Sequence, residues 1–343
     1  MMQCPASFAS RVLRGTWRTA AANALACALV FGIAMQASAQ PAARPLTKVT
    51  LALQWLTQCQ FAGYYVALEK GYYREEGIDL TIRPGASDSN PIQLVNISAV
   101  HFGTRWLADL ISAVDKGVPV ISVAQILRSS GLVLVARADS GIRHPRDFAG
   151  KRVGIWFFGN EVQFYALMSQ VGVDVSKVRV SPLQASFKAF LTREYDVINT
   201  MTYNELPTLL KSVKREQLRV FDFADYGLDF PGDVLFTRSV LLKENPDLVR
   251  RMVRATLRGW RDAIDNPEEA VSIVLKRDRT GKLEPDHQLA QMKEVSRLVR
   301  LGDRALGAHS TADVERVIGI LARNKLLSRR LGFDEVVTNA FLP

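Results

Sequence analysis

The side chains best suited to hold a small ligand occur where predicted strands end and helices begin. Tryptophan and tyrosine offer flat faces, amides offer hydrogen bonds, and glutamate can accept from a ligand donor. In open α/β sheets, ligands bind beyond the carboxyl ends of strands and against helix N-termini. The predicted ligand-binding residues are Trp55, Gln58, Gln60, Tyr64, Gln125, Trp156, Asn160, Glu161, Tyr203, Asn204 and Glu205.

Each aromatic candidate also has a structural interpretation. Trp55 and Trp156 can serve only as packing residues, because tryptophan buries a large area wherever it lies. Tyr64 and Tyr65 occupy adjacent positions of a predicted helix, so at most one of them faces a cleft. The other tyrosine then belongs to the surface or to the core.

The charged candidates and the cysteine also have both a functional and a structural interpretation. Glu161, Asn204 and Glu205 stand at predicted helix starts, where they can cap the helix or interact with its dipole. Arg128 can hold an anion or remain a solvated loop charge, since arginine is mostly exposed. Cys59 is the only cysteine after residue 39, and we interpret it as a structural thiol rather than a nucleophile.

The sequence lacks the motifs of the common catalytic and metal sites. It contains no HExxH, CxxC, GxGxxG or GK[ST] pattern, so zinc protease, redox, dinucleotide and P-loop functions lack support. No GxSxG nucleophile elbow is present. The four histidines are scattered, without metal-ligand spacing. We therefore predict a binding protein rather than an enzyme, with no cofactor and no metal.

Residues 1–39 have the pattern of a secretory signal peptide. Three arginines precede a short apolar run over residues 20–35, and cleavage is predicted after Ala39. Export to the periplasm or to the cell exterior follows from this pattern, and we predict the periplasm. The full chain has a net charge of +10, and removing three arginines and no acid leaves 41 basic and 34 acidic residues, or +7. The basic residues are spread along C-terminal helices rather than interleaved with aromatics, so we predict no nucleic-acid partner.

Two series of alternating strands and helices predict an α/β fold with parallel-rich sheets. Apolar strands at residues 132–137 and 234–237 link the two series, which predicts two lobes, a two-strand hinge and a cleft. From residue 246 onward the pattern is helical. The predicted lobes are residues 48–136 with 234–343 for the first, and residues 137–233 for the second. The alternative is a single doubly wound domain with a helical tail.

One part of the first series is predicted in more detail because it carries candidate residues. A strand is predicted over residues 100–102, followed by a polar and aromatic loop through residue 106. Helical periodicity predicts a helix over residues 105–116, which Gly117 ends. A buried strand is predicted over residues 118–125 from its continuous apolar run.

Several segments carry a resemblance to a known protein family. They are LQWLTQCQFAGYYVALEKGYYREEGIDLTI, GASDSNPIQLV, FGT, DKGVPVISVAQILRSSGLVLVA, FAGKRVGIW, MTYNELP and FDFADYG. Together they resemble the ABC-transporter solute-binding proteins of the nitrate/sulfonate/taurine type, and more closely the branch related to thiamine-pyrimidine synthesis. The resemblance implies a type II periplasmic-binding-protein fold, which traps a solute between two lobes and delivers it to an inner-membrane permease and its ATPase.

The resemblance also implies roles for particular residues. Relatives carry thiamine pyrimidine precursors, riboflavin, sulfonates or nitrate. In the pyrimidine binders an aromatic residue after the first strand stacks on the ring, and an acid pairs with the aminopyrimidine. Trp55 occupies the first position, and Glu161 and Glu205 are candidates for the second. Enzymes of the same fold carry a Cys-rich motif and an active-site histidine, and Cys59 alone does not reproduce that motif.

The leading hypothesis is a monomeric periplasmic protein that binds a small, flat, nitrogen-bearing solute, such as a thiamine pyrimidine precursor, for an ABC permease and its ATPase. One alternative is a carrier of riboflavin, or of sulfonate- or nitrate-type anions that Arg105 or Arg128 would hold with helix N-termini. A pyrimidine-synthase-like enzyme that uses pyridoxal phosphate is less favoured. A sensory protein that docks on a membrane receptor is the remaining alternative.

Overall fold

The computed structural model describes residues 45–86, 89–157, 159–183, 187–300 and 303–343. Residues 46–343 form one compact unit. The predicted signal peptide, together with Cys4 and Cys27, lies outside the described residues. Across the described ranges, none of the helices combines the length and the apolar character that a membrane span requires.

The first sheet contains five strands, and four of them run in the same direction. They are β1 (Thr47–Ala52), β2 (Ile78–Arg83), β3 (Phe102–Trp106), β4 (Val120–Gln125) and, late in the chain, β10 (Asp233–Arg238). Their order is β2-β1-β3-β10-β4, and β10 is antiparallel to both of its neighbours. Every residue of β4 is buried, as expected for a strand covered on both faces.

The second sheet repeats this arrangement. Its strands are β5 (Leu132–Arg137), β6 (Arg152–Ile155), β7 (Arg179–Pro182), β8 (Val197–Met201) and β9 (Leu218–Asp222). They lie in the order β7-β6-β8-β5-β9, and β5 is antiparallel to β8 and β9. The predicted α/β fold with two parallel-rich sheets is confirmed. We call the first sheet and its helices lobe 1, and the second sheet and its helices lobe 2.

Helices connect the strands and then make up almost all of the chain after β10. They are α1 (Ala62–Glu69), α2 (Tyr72–Glu75), α3 (Pro91–Asn96), α4 (Leu107–Asp115), α5 (Asn160–Gln170), α6 (Lys188–Leu191), α7 (Glu205–Leu209), α8 (Leu241–Glu244), α9 (Pro246–Asp265), α10 (Pro267–Arg277), α11 (Pro285–Arg300), α12 (Thr311–Arg323) and α13 (Phe333–Val336). Proline opens four of them, where its missing N–H costs no hydrogen bond. The Asn245 side chain accepts from Leu248 N at 3.0 Å and fixes the start of α9.

The structure corrects the prediction for residues 101–106. We expected a strand that ends at residue 102 and a helix from Arg105, but β3 continues to Trp106 and α4 begins at Leu107. Pairing with β10 holds β3 extended over this range. This long-range pairing outweighs the local helical periodicity that the sequence shows before Leu107.

The chain crosses between the lobes twice. It leaves β4 through residues 126–131 and returns to β10 through residues 223–232. Ser129 Oγ donates to Asp229 Oδ1 at 2.7 Å and joins the two crossings. Residues 132–136 pair in the second sheet, whereas the expected boundary at residue 136 assigned them to lobe 1. The reason is that an apolar strand at a crossing carries no local sign of which sheet it joins.

Glycine allows α1 and α9 to pack in close contact within lobe 1. A Cβ atom at Gly63 would lie 2.3 Å from the ring of Trp260, and one at Gly259 would lie 2.3 Å from the carbonyl oxygen of Gly63. Neither position can hold a larger side chain without moving a helix backbone. The C-terminal helices are therefore an integral part of lobe 1.

Candidate ligand-binding site

A cavity of about 510 Å³ lies between the two lobes. This volume falls in the range of small-molecule sites, which are mostly apolar with a few placed polar groups. Lobe 1 contributes Gln54, Trp55, Gln58, Gln60, Ala86, Ser89, Arg105 and Trp106. Lobe 2 contributes Ile155, Trp156, Phe157, Asn160, Pro182, Leu183, Met201, Tyr203 and Glu205.

The aromatic residues of the cavity come from both lobes and two of them meet directly. The rings of Trp55 and Trp156 form an edge-to-face contact, with centroids 5.8 Å apart and an interplanar angle of 73°. Trp156 N donates to Asn199 Oδ1 at 2.8 Å, which fixes the backbone after β6. The indole Nε1 of Trp156 is buried and has no hydrogen-bond partner among the described residues.

A buried carboxylate lies behind the glutamines of lobe 1. Asp233, at the start of β10, is 2 % exposed. Its Oδ1 accepts from Gln54 Nε2 at 2.6 Å, and its Oδ2 accepts from Gln60 Nε2 at 2.9 Å. Burial raises the pKa of Asp233 to about 7, although both amides and the charge of Arg105 favour the ionised form. Gln54 Oε1 is buried without a partner in the described part of the chain.

Helix α11 supports this glutamine cluster from behind. Gln58 Nε2 donates to Gln60 Oε1 at 2.8 Å, and Gln58 Oε1 accepts from Gln291 Nε2 at 3.2 Å. Gln288 Oε1 accepts from the backbone N–H of Cys59 at 2.8 Å. The turn between β1 and α1 is therefore fixed by side chains that lie more than 200 residues later in the sequence.

A second carboxylate, Glu205, lines the cavity at the start of α7. It accepts from Met201 N at 3.0 Å and from Asn204 Nδ2 at 2.9 Å. Burial raises the pKa of Glu205. Asn204 Oδ1 lies 2.9 Å from Nε2 of His287 on α11, so the ring nitrogen donates to it. This contact joins the lobe 2 wall of the cavity to a helix that also supports the lobe 1 wall.

Arg105 is the one cation among the described residues that line the cavity. Its side chain is 6 % exposed and forms an ion pair with Asp109, which lies four residues later in the first turn of α4. Arg128 does not line the cavity, and its guanidinium donates to the backbone oxygens of Arg304 and Ala305. The structure therefore separates the two arginines that the sequence offered as anion ligands.

Seven of the eleven predicted ligand-binding residues line the cavity. These are Trp55, Gln58, Gln60, Trp156, Asn160, Tyr203 and Glu205. Ligand contact remains a prediction for each of them. Among the predicted pair of acids, Glu205 is the one whose side chain borders the cavity.

The other four predicted residues have structural partners instead. Tyr64 packs edge to face against Trp260, with centroids 5.7 Å apart. Gln125 Nε2 donates to three backbone oxygens near the lobe crossing, those of Leu127, Gly232 and Asp233. Glu161 accepts from Gly159 N at 2.8 Å and caps its own helix. Asn204 bridges Glu205 and His287 behind the wall, so it lies outside the lining.

The predicted ligand-binding residues did not include Gln54, Trp106, Phe157 or Asp233, which the structure places at the site. Asp233 offered a signal, because an acid directly precedes the apolar strand VLFT and needs a partner when it is buried. Trp106 was assigned to a helix, which hid its position at the end of β3. Phe157 offered a signal as well, because it follows Trp156 directly after a strand, at the edge where the other candidates lie.

The described residues contain no group of three or more His, Cys, Asp and Glu side chains that could hold a metal ion. Cys59 is fully buried, and burial raises the pKa of its thiol far above the ordinary value. A thiol that stays protonated is a poor nucleophile. The interpretation of Cys59 as a structural residue is in agreement with this environment.

The chain is similar to a family described as NMT1/THI5 like, whose model matches residues 58–270, more than half of the chain. It is 27 % identical over 255 residues to the formylaminopyrimidine-binding protein of Halalkalibacterium halodurans, covering 73 % of this chain and 77 % of that protein. It is 28 % identical over 302 residues to the 4-amino-5-hydroxymethyl-2-methylpyrimidine phosphate synthase of Legionella pneumophila, covering 87 % and 93 %. It is 28 % identical over 327 residues to the riboflavin-binding protein RibY of Chloroflexus aurantiacus, covering 90 % of each.

Among solved structures, the chain is similar to the periplasmic aliphatic sulphonate binding protein SsuA from Escherichia coli. The TM-score is 0.66 with 13 % sequence identity, covering 85 % of this chain and 92 % of that protein. At this identity the likeness concerns the fold alone. The predicted periplasmic-binding-protein fold is confirmed by it.

Proposed function

The chain belongs to the NMT1/THI5-like family, and we propose that it is the periplasmic solute-binding component of an ABC importer. The solute is a small, flat heteroaromatic molecule with N–H donors, of the aminopyrimidine type. The observation that carries this proposal is the aromatic cavity between the lobes, backed by the hydrogen-bonded carboxylate of Asp233.

The shape and lining of the cavity support a flat solute. Its volume of about 510 Å³ accommodates a substituted pyrimidine, and tryptophans reach it from both lobes. A ring that packs between or against these indoles is stabilised by stacking in addition to the burial of its surface. A solute that contacts both lobes also favours the closed arrangement over any open one.

The charges around the cavity favour a donor-bearing solute over an anion. Arg105 is already paired with Asp109, and the carboxylates of Glu205 and Asp233 lie at or directly behind the wall. A sulfonate or nitrate placed here would meet more negative than positive charge. Among the described residues, the acceptor Gln54 Oε1 and the donor Trp156 Nε1 have no hydrogen-bond partner, and an aminopyrimidine carries both an N–H donor and a ring-nitrogen acceptor.

We propose that the protein is not an enzyme, although some relatives are named as synthases. Among the described residues that line the cavity, none is a lysine, a cysteine or a histidine. A lysine is the group that forms a Schiff base with pyridoxal phosphate. We expect no change in the absorbance spectrum of pyridoxal phosphate on mixing with the protein, and a new imine band would contradict this part of the proposal.

We also propose export by residues 1–39, cleavage after Ala39 and function as a monomer. The fold of the similar E. coli protein supports a periplasmic role. The partner is then an inner-membrane permease with its ATPase. Mass spectrometry of the protein from a periplasmic extract tests the cleavage site, and an N-terminus other than Gln40 would refute it.

Isothermal titration calorimetry of the mature protein tests the solute. We expect heat on titration with 4-amino-5-hydroxymethyl-2-methylpyrimidine or its formylamino relative, and a loss of affinity in Trp156→Ala. Riboflavin, ethanesulfonate and nitrate are the comparison solutes. Binding of only the sulfonate or nitrate would overturn the aromatic assignment, and binding of only riboflavin would replace the pyrimidine by a flavin.

A further inference from the structure

Asp233 imposes an orientation on the amides that surround it. Both of its oxygens accept hydrogen bonds, one from Gln54 and one from Gln60. An ionised carboxylate can only accept, so each glutamine must present its NH2 group to it. The carbonyl oxygen of each amide is then directed to a different neighbour.

The two carbonyl oxygens differ in whether they have a hydrogen-bond partner. Gln60 Oε1 accepts from Gln58 Nε2, and Gln58 Oε1 accepts in turn from Gln291 Nε2. Gln54 Oε1 is buried and has no partner in the described part of the chain, although Gln54 lines the cavity. A buried acceptor that stays unsatisfied is costly, so a solute donor at this position gains the full benefit of satisfying it.

We infer that Asp233 is a positioning residue for solute specificity: it holds the Gln54 amide so that its carbonyl is left for an N–H donor of the solute. The inference rests on the proposed function for the identity of the solute. It adds that discrimination between an amino and an oxo substituent on the ring depends on a carboxylate that does not itself line the cavity.

The positioning of the Gln54 amide depends on the protonation state of Asp233, which its surroundings control. Arg105 is the cation whose charge acts on it, and the phenols of Tyr64 and Tyr203 are the other titratable groups whose charge interacts with it. Burial raises the pKa of Asp233 to about 7. Once protonated, Asp233 can donate to a reoriented amide, and the Gln54 carbonyl is no longer held in place.

The solute arm of the test compares two probes that differ at one substituent. They are 4-amino-5-hydroxymethyl-2-methylpyrimidine and its 4-oxo analogue. We expect wild-type protein to prefer the amino probe by about tenfold or more. Asp233→Asn should reduce this preference to about threefold or less, because an amide no longer requires NH2 groups from both glutamines. Asp229→Asn is the matched control, since Asp229 is a half-buried aspartate of the crossing segment outside the cavity lining, and it should keep the wild-type ratio.

A pH profile separates positioning from a general structural role. The wild-type preference should decline as the pH falls through about 7, and the Asp233→Asn preference should not follow that decline. Titration of the probe itself affects both proteins equally. Identical pH profiles of the ratio in both proteins would overturn the inference, as would an unchanged preference in Asp233→Asn.

A ligand-free arm keeps the inference distinct from the proposed function. In side-chain 1H–15N spectra, the Gln54 amide signal, assigned by its loss in Gln54→Met, should shift on titration near neutral pH and move in Asp233→Asn. If neither probe binds but this shift is observed, the proposed solute is wrong and the positioning role stands. If Asp233→Asn does not fold, Gln54→Met, which removes the acceptor, should abolish the preference for the amino probe, and a retained preference would overturn the inference.

Discussion

Two buried groups should give the free energy of unfolding opposite dependences on pH. His309 is 4 % exposed, and its Nε2 lies 2.7 Å from Ser122 Oγ. Its Nδ1 lies 3.0 Å from Asn339 Oδ1, which can only accept, so the neutral ring carries its proton on Nδ1. Burial lowers the pKa of His309 from 6.5 to about 4. Burial raises the pKa of Asp233 from 3.8 to about 7.

The sign of each contribution follows from which state binds the proton first. On acidification the unfolded chain protonates His309 before the folded chain does, so the free energy of unfolding falls by about 2.5 kcal/mol between about pH 7.5 and about pH 4.5. For Asp233 the folded chain takes up the proton first, so the free energy of unfolding rises by about 3 kcal/mol over the same range. The two contributions nearly cancel in the wild-type protein.

Single substitutions should reveal how each group makes the free energy of unfolding depend on pH. Urea unfolding is measured at several pH values for wild type, Asp233→Asn and His309→Gln, and the wild-type curve is subtracted so that other titrating groups drop out. Relative to wild type, Asp233→Asn should lose stability on acidification, and His309→Gln should gain it. An Asp233→Asn curve parallel to the wild-type curve would show that the carboxylate is solvated, which would refute the burial argument for this residue.

Three further predictions concern the cavity, the contact between lobes and the helix packing. Trp55→Ala should weaken pyrimidine binding in calorimetry by about tenfold, because one aromatic wall is lost. His287→Ala should weaken it by about fivefold, because the amide that supports Glu205 loses its hydrogen bond. Lys211→Ala, which removes an exposed ion pair with Glu284, should change it by less than about twofold; equal effects would contradict the inter-lobe support. Gly63→Ala should lower the urea-unfolding free energy by about 3 kcal/mol, while Gly319→Ala, where a Cβ meets only a flexible arginine, should raise it slightly.

The sequence predicted best those elements whose limits are set by local chemistry. Helix α9 begins at Pro246, the residue from which the sequence predicted helical structure, because a proline that follows an asparagine marks the helix start. Periodicity also located the strands, within a few residues. The extent of β3 could not be predicted, since it depends on pairing with a strand about 130 residues later in the chain.

The site was predictable in outline for a similar reason. Aromatic and amide residues after strands pointed to the correct edge of each sheet, because that edge is fixed by the α/β topology. The direction of individual side chains was not predictable. Tyr64 turns into the α1–α9 contact because Gly63 and Gly259 bring these helices close together, and no local pattern encodes that approach.

Helix α11 shows why the C-terminal helices belong to the site rather than to a tail. Gln291 follows His287 by four residues and Gln288 by three, so each of these two side chains lies beside Gln291 on the helix surface. Gln288 and Gln291 hold the glutamine turn of lobe 1, and His287 holds Asn204 beside the carboxylate of lobe 2. A rotation of lobe 2 away from lobe 1 must break the His287 contact while it leaves the other two intact. Closure on a solute and the arrangement of Glu205 are therefore coupled through a single helix, and that helix lies outside residues 58–270, the range that the family model matches.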